Sequence, residues 1–360
     1  MTLKSSSLFG SEIISDDIKG ILGTNLDWAR FSGKKVLITG ANGFLPAYMA
    51  EVLFALNQAG SLDSPCHIIL LVRNIDHAKT RFQKHLHSKE VELICHDVSN
   101  PFPKGLQADF IIHAASPASP KFYAATPLSV IYPNIFGTKY ALDLAQEQEV
   151  ESFLYFSSGE VYGNVSGQAL VDETHFGSAD PLAQRACYPE SKRMGETLCA
   201  SYFQQHGVPT KVVRPFHTYG PGMKLDDGRV FADFVKNIVQ KQDIEMKSDG
   251  LAERPFCYLA DAAVAFFTIL LKGENANAYN VANPNQMISV KGLAEMLVSL
   301  FPEMNLKVHF APQDDNYIQS TLAKMVPDIS KISTLGWSPT TSLREGFSRT
   351  IRSYLTSLDP

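Results

Sequence analysis

Two short stretches of the chain carry the residues best suited to chemistry. The first, Phe153-Leu154-Tyr155-Phe156-Ser157-Ser158-Gly159-Glu160-Val161-Tyr162-Gly163, is an apolar, aromatic run that ends in two hydroxyls and a carboxylate. That is the pattern of a buried strand delivering polar groups at its end. The second, Tyr188-Pro189-Glu190-Ser191-Lys192, opens an amphipathic segment, and its spacing puts Tyr188 and Lys192 on one face of a helix. A phenol has an ordinary pKa of about 10, so it needs help to act as a base near neutrality. A lysine ammonium nearby favours the phenolate, and the Ser158 hydroxyl can hold the same substrate oxygen. Such a set can take a proton from an alcohol or sugar hydroxyl while hydride leaves the carbon. Tyr-x-x-x-Lys alone is a common chance match, so its meaning depends on what the chain upstream builds.

Upstream, Lys34 to Gly40 has the composition of a buried parallel strand, and Ala41-Asn42-Gly43-Phe44 turns directly into a helical pattern over Ala47 to Ala55. A Gly-rich strand-to-helix turn lets the backbone approach a pyrophosphate, which then sits at the helix N-terminus. Gly40 and Gly43 supply the first two glycines of that pattern. Pro46 stands at the third, where a proline is acceptable in a first helical turn. A second strand, Ile68 to Val72, ends in Arg73-Asn74 rather than the acid that grips an adenosine ribose. An Arg there accommodates a 2′-phosphate, which admits NADP, or stacks on adenine with either cofactor. Val91 to Val98 reads as a third strand carrying Asp97 at its end, and Phe110 to Ser116, with Ala114 and Ala115, as a fourth. A helix from Pro127 to Ala145 follows. Alternating strands and helices predict an α/β fold, a doubly wound parallel sheet of Rossmann type, whose site lies beyond the carboxyl ends of the strands.

Composition narrows the class. The 360 residues are 45% hydrophobic and 19% charged, ordinary values for a soluble globular protein with a sizeable core. A net charge of −5 gives no reason to expect nucleic acid or an anionic membrane as partner. Cys66, Cys95, Cys187, Cys199 and Cys257 lack metal-ligand spacing and read as reduced thiols, with Cys187 a small filler beside Tyr188. No metal site is expected, and Asp314-Asp315 reads as solvated loop. Met1 to Gly33 lacks an apolar run long enough for a signal or a membrane span, so a cytoplasmic location is expected. Within it, Ser15-Asp16-Asp17 is a candidate cap for a short helix with Ile18, Ile21 and Leu22 on one face. The expected organisation is a helical extension over 1–33 and a dinucleotide-binding domain over 34–180, to which 181–220 adds the Tyr/Lys helix and a later strand. A smaller, interrupted substrate lobe spans 221–360, with a return to the sheet near 255–282. Within it, Asp261 to Leu271 reads as a buried helix, Tyr279 to Val281 as a late strand, Pro302 to Pro312 as part of the lobe, and Leu343 to Leu355 as the final helix.

The Gly-x-x-Gly turn, His113-Ala114-Ala115, the Ser158/Tyr188/Lys192 set and Arg214-Pro215-Phe216-His217-Thr218-Tyr219-Gly220-Pro221 together resemble the extended short-chain dehydrogenase/reductase family, the nucleotide-sugar epimerases and dehydratases. Within it the chain looks most like UDP-glucuronate decarboxylases. The matching pieces are His96-Asp97-Val98, Ala115 to Pro120, Glu160-Val161-Tyr162-Gly163, Arg185-Ala186-Cys187-Tyr188, Asp227-Gly228-Arg229-Val230 and Arg254-Pro255-Phe256. The resemblance implies that Ser158 holds the sugar 4-OH, that Tyr188 is the base, and that Lys192 tunes it and grips the nicotinamide ribose. It implies that Gly40, Asn42, Gly43, Phe44, Arg73, Asp97, Val98, Ala114 and Ala115 line the site of NAD, or alternatively NADP. Ser119, His217, Arg229 and Arg254 would face a nucleotide-diphosphate sugar, guanidinium forks suiting its phosphates. His217 stands where the family commonly has Asn. A homodimer formed through a four-helix bundle is a further implication.

Oxidation at C4 yields a ketone from which several reactions branch. A 4,6-dehydratase wants an acid and a base side by side after the hydroxyl, and here that pair reads Gly159-Glu160, which disfavours it. Decarboxylation needs no proton removed from C5, because loss of CO2 supplies the electrons. The family decarboxylases carry Ser where this chain has Gly159, and a glycine also suits a 4-epimerase or an NADPH-dependent 4-keto-sugar reductase. A decarboxylase leads on likeness, with Glu160 in the catalytic set. A non-catalytic nucleotide-binding protein is the rival from another class, and the intact Ser158/Tyr188/Lys192 set argues against it.

Overall fold

The structure is a computed structural model that describes residues 11–165, 170–246, 248–310 and 325–356. The chain opens with α1 (Glu12–Leu22), β1 (Lys35–Thr39), α2 (Phe44–Gln58), β2 (His67–Val72), α3 (Ile75–Arg81), β3 (Val91–Cys95) and β4 (Phe110–His113). Then come α4 (Pro120–Ala125), α5 (Leu128–Tyr132), α6 (Thr138–Glu147), β5 (Ser152–Phe156), β6 (Leu170–Val171), α7 (Cys187–His206), β7 (Thr210–Pro215) and β8 (His217–Tyr219). The last third holds α8 (Val230–Val239), β9 (Ile244–Met246), β10 (Glu253–Tyr258), α9 (Leu259–Lys272), β11 (Asn277–Val281), β12 (Met287–Ser289) and α10 (Val290–Leu300). It ends in β13 (Val308–Phe310), β14 (Val326–Pro327), α11 (Ser330–Ser333) and α12 (Leu343–Leu355).

Seven strands form one parallel sheet in the order β3-β2-β1-β4-β5-β7-β11. The order reverses between β1 and β4, which is where such sheets open a crevice at their carboxyl edge. Both faces are covered, as near-continuous apolar strands such as Val36-Leu37-Ile38 require. On one face α1, α2 and α9 pack with Ile14, Tyr48, Phe266 and Phe267; on the other α6 and α7 pack with Leu142, Tyr155 and Cys199. A second core lies off the sheet, where α8, α10 and α12 bury Phe231, Leu293 and Phe347 beside the small β8-β10-β12 sheet. α9 returns the chain from β10 to the main sheet, and β11 completes its edge.

Several boundaries differ from those expected from sequence, for physical reasons. β3 stops at Cys95, and Asp97 turns the chain by accepting the Ser99 N–H at 2.9 Å. β4 stops at His113, whose ring is held sideways by hydroxyls, and β5 stops at Phe156 because Ser158 caps a single 3-10 turn over Gly159–Tyr162. The helix expected from Pro127 to Ala145 forms as a continuous helical run with a wide turn inside it over Pro133–Gly137. Proline lacks the N–H that the regular ladder needs, which loosens that turn. α1 begins at Glu12 with Ser11, not Ser15, as its cap, and Asp17 lies buried inside it. Asp17 accepts from Tyr258 Oη and Arg349 Nη2, each at 2.6 Å, tying α1 to β10 and α12. The 311–324 segment, with Asp314-Asp315 and the end of the Pro302–Pro312 stretch, lies outside the described residues.

Candidate active site

Gly40 and Gly43 build the turn between β1 and α2. Gly40 has φ +65°, and a side chain there would bring its Cβ within 2.6 Å of Ala115 Cα, so only glycine lets β1 and the β4 loop approach this closely. Gly43 caps α2 without a side chain, which leaves the first-turn N–H groups of Phe44 and its neighbours facing outward. Pro46 is buried in that first turn. The Asn42 amide donates to Asn74 O at 2.8 Å, while its carbonyl oxygen is buried with no partner among the described residues. Arg81 Nη1 donates to Asn42 O at 2.9 Å and braces the turn from α3, a role that sequence reading missed. Arg73 is exposed at the end of β2; Asp97 and Val98 follow β3. A glycine cradle at the uncapped N-terminus of α2 fits a dinucleotide diphosphate, while the orphaned Asn42 oxygen, an acceptor, suits a hydroxyl rather than a phosphate.

Across the crevice α7 begins at Cys187, and Tyr188 and Lys192 do share a face. Ser158 lies close enough to the Tyr188 hydroxyl to draw its pKa down, and its own side-chain oxygen accepts the Glu160 N–H at 3.2 Å. Lys192 is buried, donates to Phe156 O at 2.6 Å and lies 5.9 Å from the Tyr188 ring centre. Burial drives the Lys192 pKa down to about 7, against the pull of Glu196. Burial likewise raises the Tyr188 pKa, the Glu160 charge raises it further, and Ser158 and Arg229 act to lower it. Burial is the largest influence on both groups.

Behind these groups runs a chain of neutral hydrogen bonds that no local motif signals. Thr39 Oγ1 accepts from Ala114 N and Ala115 N at 3.2 and 3.3 Å, so its proton goes to His113 Nδ1 at 2.9 Å. His113 Nε2 then donates to Thr138 Oγ1 at 3.2 Å, and Thr138 donates to Asn134 O at 2.6 Å. Asn134 Nδ2 donates to Ser191 Oγ at 2.9 Å, and Ser191 donates to Tyr188 O at 3.0 Å. This accounting fixes the Nε2–H tautomer of a neutral ring, consistent with burial holding the His113 pKa down at about 3. The second brace is ionic. Arg214 on β7 forks onto Glu196 at 2.9 and 2.6 Å, and Ser157 donates to the same carboxylate at 2.5 Å. Arg214 also donates to Tyr162 Oη at 2.9 Å, and Tyr162 to Asn280 at 2.6 Å.

The remaining residues sit on the lobe side. Ser119 Oγ donates to Asp227 O at 2.5 Å. Arg229 Nε donates to Asp227 Oδ2 at 2.7 Å, and Arg254 Nη1 to Glu253 O at 2.7 Å. His217 has an Nδ1 out of solvent with no partner among the described residues; burial, then Arg254, Arg229 and Arg185, hold its pKa down at about 3. Glu160 pairs with Arg185 at 3.1 Å. A side chain at Gly159 would put Cβ 2.8–3.0 Å from the Phe216 ring, so the ring must shift before a serine fits there. Tyr123, missed in the sequence, stacks on Tyr188 at 5.0 Å. Among the described residues no helix is long and apolar enough to cross a membrane.

Residues 36–282 match the model of the NAD dependent epimerase/dehydratase family. UDP-glucuronic acid decarboxylase 6 of Arabidopsis thaliana is 33% identical over 318 residues, 88% of this chain and 87% of that protein. UDP-glucuronic acid decarboxylase 1 of Xenopus tropicalis is 32% identical over 330 residues, 91% and 73% of the two. Among solved structures, a UDP-glucose 4-epimerase of Thermotoga maritima with UDP-glucose superposes with TM-score 0.76 at 19% identity, covering 90% of this chain and all of that one. A UDP-glucuronic acid 4-epimerase of Bacillus cereus with UDP-glucuronic acid and NAD gives 0.73 at 23%, covering 89% and 99%. Its parallel sheet, glycine turn and Ser/Tyr/Lys arrangement, taken with these matches, make this chain a member of the NAD dependent epimerase/dehydratase family.

Proposed function

We propose that the protein oxidises a nucleoside diphosphate sugar at C4, decarboxylates the resulting 4-keto-hexuronate, and returns the hydride, as a UDP-glucuronate decarboxylase does. The observation that carries this reading is the meeting of Tyr188 and Ser158 just beyond the carboxyl end of β5, with Lys192 one turn along α7 and 5.9 Å from the Tyr188 ring centre. The substrate 4-OH would lie between the two hydroxyls, and Tyr188 would take its proton. A dinucleotide with its diphosphate at the Gly40–Gly43 turn would supply hydride transfer when bound, and Ser158 and Tyr188 would orient the substrate 4-OH for it. NAD is the proposed cofactor, supported by family membership, with Arg73 the feature that favours NADP. Gly40, Asn42, Gly43 and Phe44 would hold the diphosphate, Asp97 and Val98 the adenine, and Ala114 and Ala115 would close over the dinucleotide. Glu160 stands beside Tyr188, where C5 of the sugar would be reprotonated after CO2 leaves. Ser119, His217, Arg229 and Arg254 would hold the sugar nucleotide, so that 34–220 supplies the redox half and 221–360 mainly the substrate lobe.

We also propose a homodimer. Leu128, Tyr132 and Phe136 recur every four residues and are exposed, beside exposed Met194 and Phe203 on α7, a helix in contact with α5. Light scattering of the purified protein would read a single-chain mass if this is wrong.

The reaction is tested by adding UDP-glucuronate to the NAD-loaded protein while following nicotinamide absorbance and product mass. A product lighter by CO2 supports decarboxylation; an isomer of unchanged mass replaces it with 4-epimerisation. Absence of both product and transient NADH with UDP-glucuronate and UDP-glucose sinks the redox reading. Tyr188→Phe should slow turnover by about 10²- to 10⁴-fold with dinucleotide binding unchanged.

A further inference from the structure

Three arginines press on His217 from the lobe side: Arg254, Arg229 and Arg185. They are anchored differently. Arg229, whose charge still reaches Tyr188, is claimed by Asp227, and Arg254 is held along β10. Arg185 sits three residues before Tyr188, on the approach to α7. Its guanidinium lies 5.9 Å over the Tyr123 ring, which is stacked at 18° on the Tyr188 ring. Its one hydrogen bond among the described residues is the 3.1 Å contact to Glu160, and 63% of its side chain is exposed. A cation is therefore held over the ring that stacks on the proposed base and against Glu160, with most of its planar fork unspent.

The carbon next to the oxidised C4 is C5. If C5 bears a carboxylate, that charge arrives close to Glu160, and two carboxylates side by side repel unless a cation bridges them. A neutral hydroxymethyl group makes no such demand. Arginine is the residue whose fork can hold two carboxylates at once. We infer that Arg185 is the residue that recognises the C5 carboxylate of a nucleoside diphosphate hexuronate, bridging it to Glu160 and separating acidic from neutral sugars. This holds only if the substrate is the hexuronate proposed above. Arg229 and Arg254 are left for the diphosphate.

The test is equilibrium binding by calorimetry, using UDP-glucuronate and UDP-glucose with the NAD-loaded wild type, Arg185→Gln and Arg185→Lys. Losing a charge-assisted fork should weaken UDP-glucuronate on the order of tenfold to a hundredfold and UDP-glucose less than twofold. Arg185→Lys, which keeps the charge but not the fork, should recover part of the loss. The side chain is mostly exposed, and UDP-glucose affinity reports that each variant still folds. Equal weakening of both sugars, no weakening of either, or a wild type that prefers UDP-glucose would overturn the assignment. Turnover of UDP-glucuronate, followed separately by nicotinamide absorbance, tests the reaction itself, so the two can fail independently.

Discussion

Two buried polar networks grip the helix that carries Tyr188 and Lys192, and they are built on opposite terms. The Thr39–His113–Thr138–Asn134–Ser191 chain is neutral and directional, each hydroxyl passing one proton onward. The Ser157–Glu196–Arg214–Tyr162 network is ionic, with a two-pronged pair at its centre and the Arg214 side chain only 4% exposed. The neutral chain links the strand beside the glycine turn to the backbone of the base. The ionic one links the residue before Ser158 to α7 and β7. Charge has been admitted where a guanidinium can pair it, and Glu196 still reaches the amine of Lys192, pulling its pKa up against burial. The first variant below tests the ionic brace and the second the neutral one.

Glu196→Gln should have the largest effect. It leaves the Arg214 guanidinium buried without its partner, which should cost about 3–5 kcal/mol by chemical denaturation. Glu196→Gln combined with Arg214→Met should recover most of it; if the single change costs nothing measurable, the ionic network holds nothing together. Thr138→Val comes next. It keeps shape but strands the His113 Nε2–H, for an expected loss of about 1–3 kcal/mol. The smallest effect is one of pH. His113 and His217 bind protons below about 6.5 in the unfolded chain and only near 3 in the fold. Between those values the unfolded chain holds more protons, so stability is present above pH 6.5 and drains away as pH falls toward 3. His113→Gln should remove one proton from that linkage and flatten the slope by up to about 1.4 kcal/mol per pH unit. An unchanged slope would mean that the His113 ring is charged in the fold.

What could be read in the sequence was whatever local sterics and period encode. Gly40 and Gly43 announce the turn because no other residue tolerates that backbone approach. Tyr188 and Lys192 announce each other through helical spacing, and Leu343–Leu355 appears as a helix with the same limits. What stayed hidden depends on neighbours distant along the chain. Arg185 and Tyr123 matter through a stack formed across α4 and α7, and His113 through hydroxyls on β1 and α6. The amphipathic start of α1 was placed too late because Ser15-Asp16-Asp17 looks like a cap until Asp17 is seen facing Tyr258 and Arg349. Helical spacing pairs Lys192 with Tyr188 but does not report its burial, which brings its pKa down to about 7.

The contact between Asp17 and Arg349 spans 332 positions of the chain. A polypeptide emerging from the ribosome therefore presents Ile14, Ile18 and Ile21 to solvent long before α9 and α12 exist to cover them, and the β7 edge stays open until Asn277–Val281 appears. α2, complete by Gln58, is the first element able to shelter that stripe, and α9 and α12 finish its seat only late in synthesis.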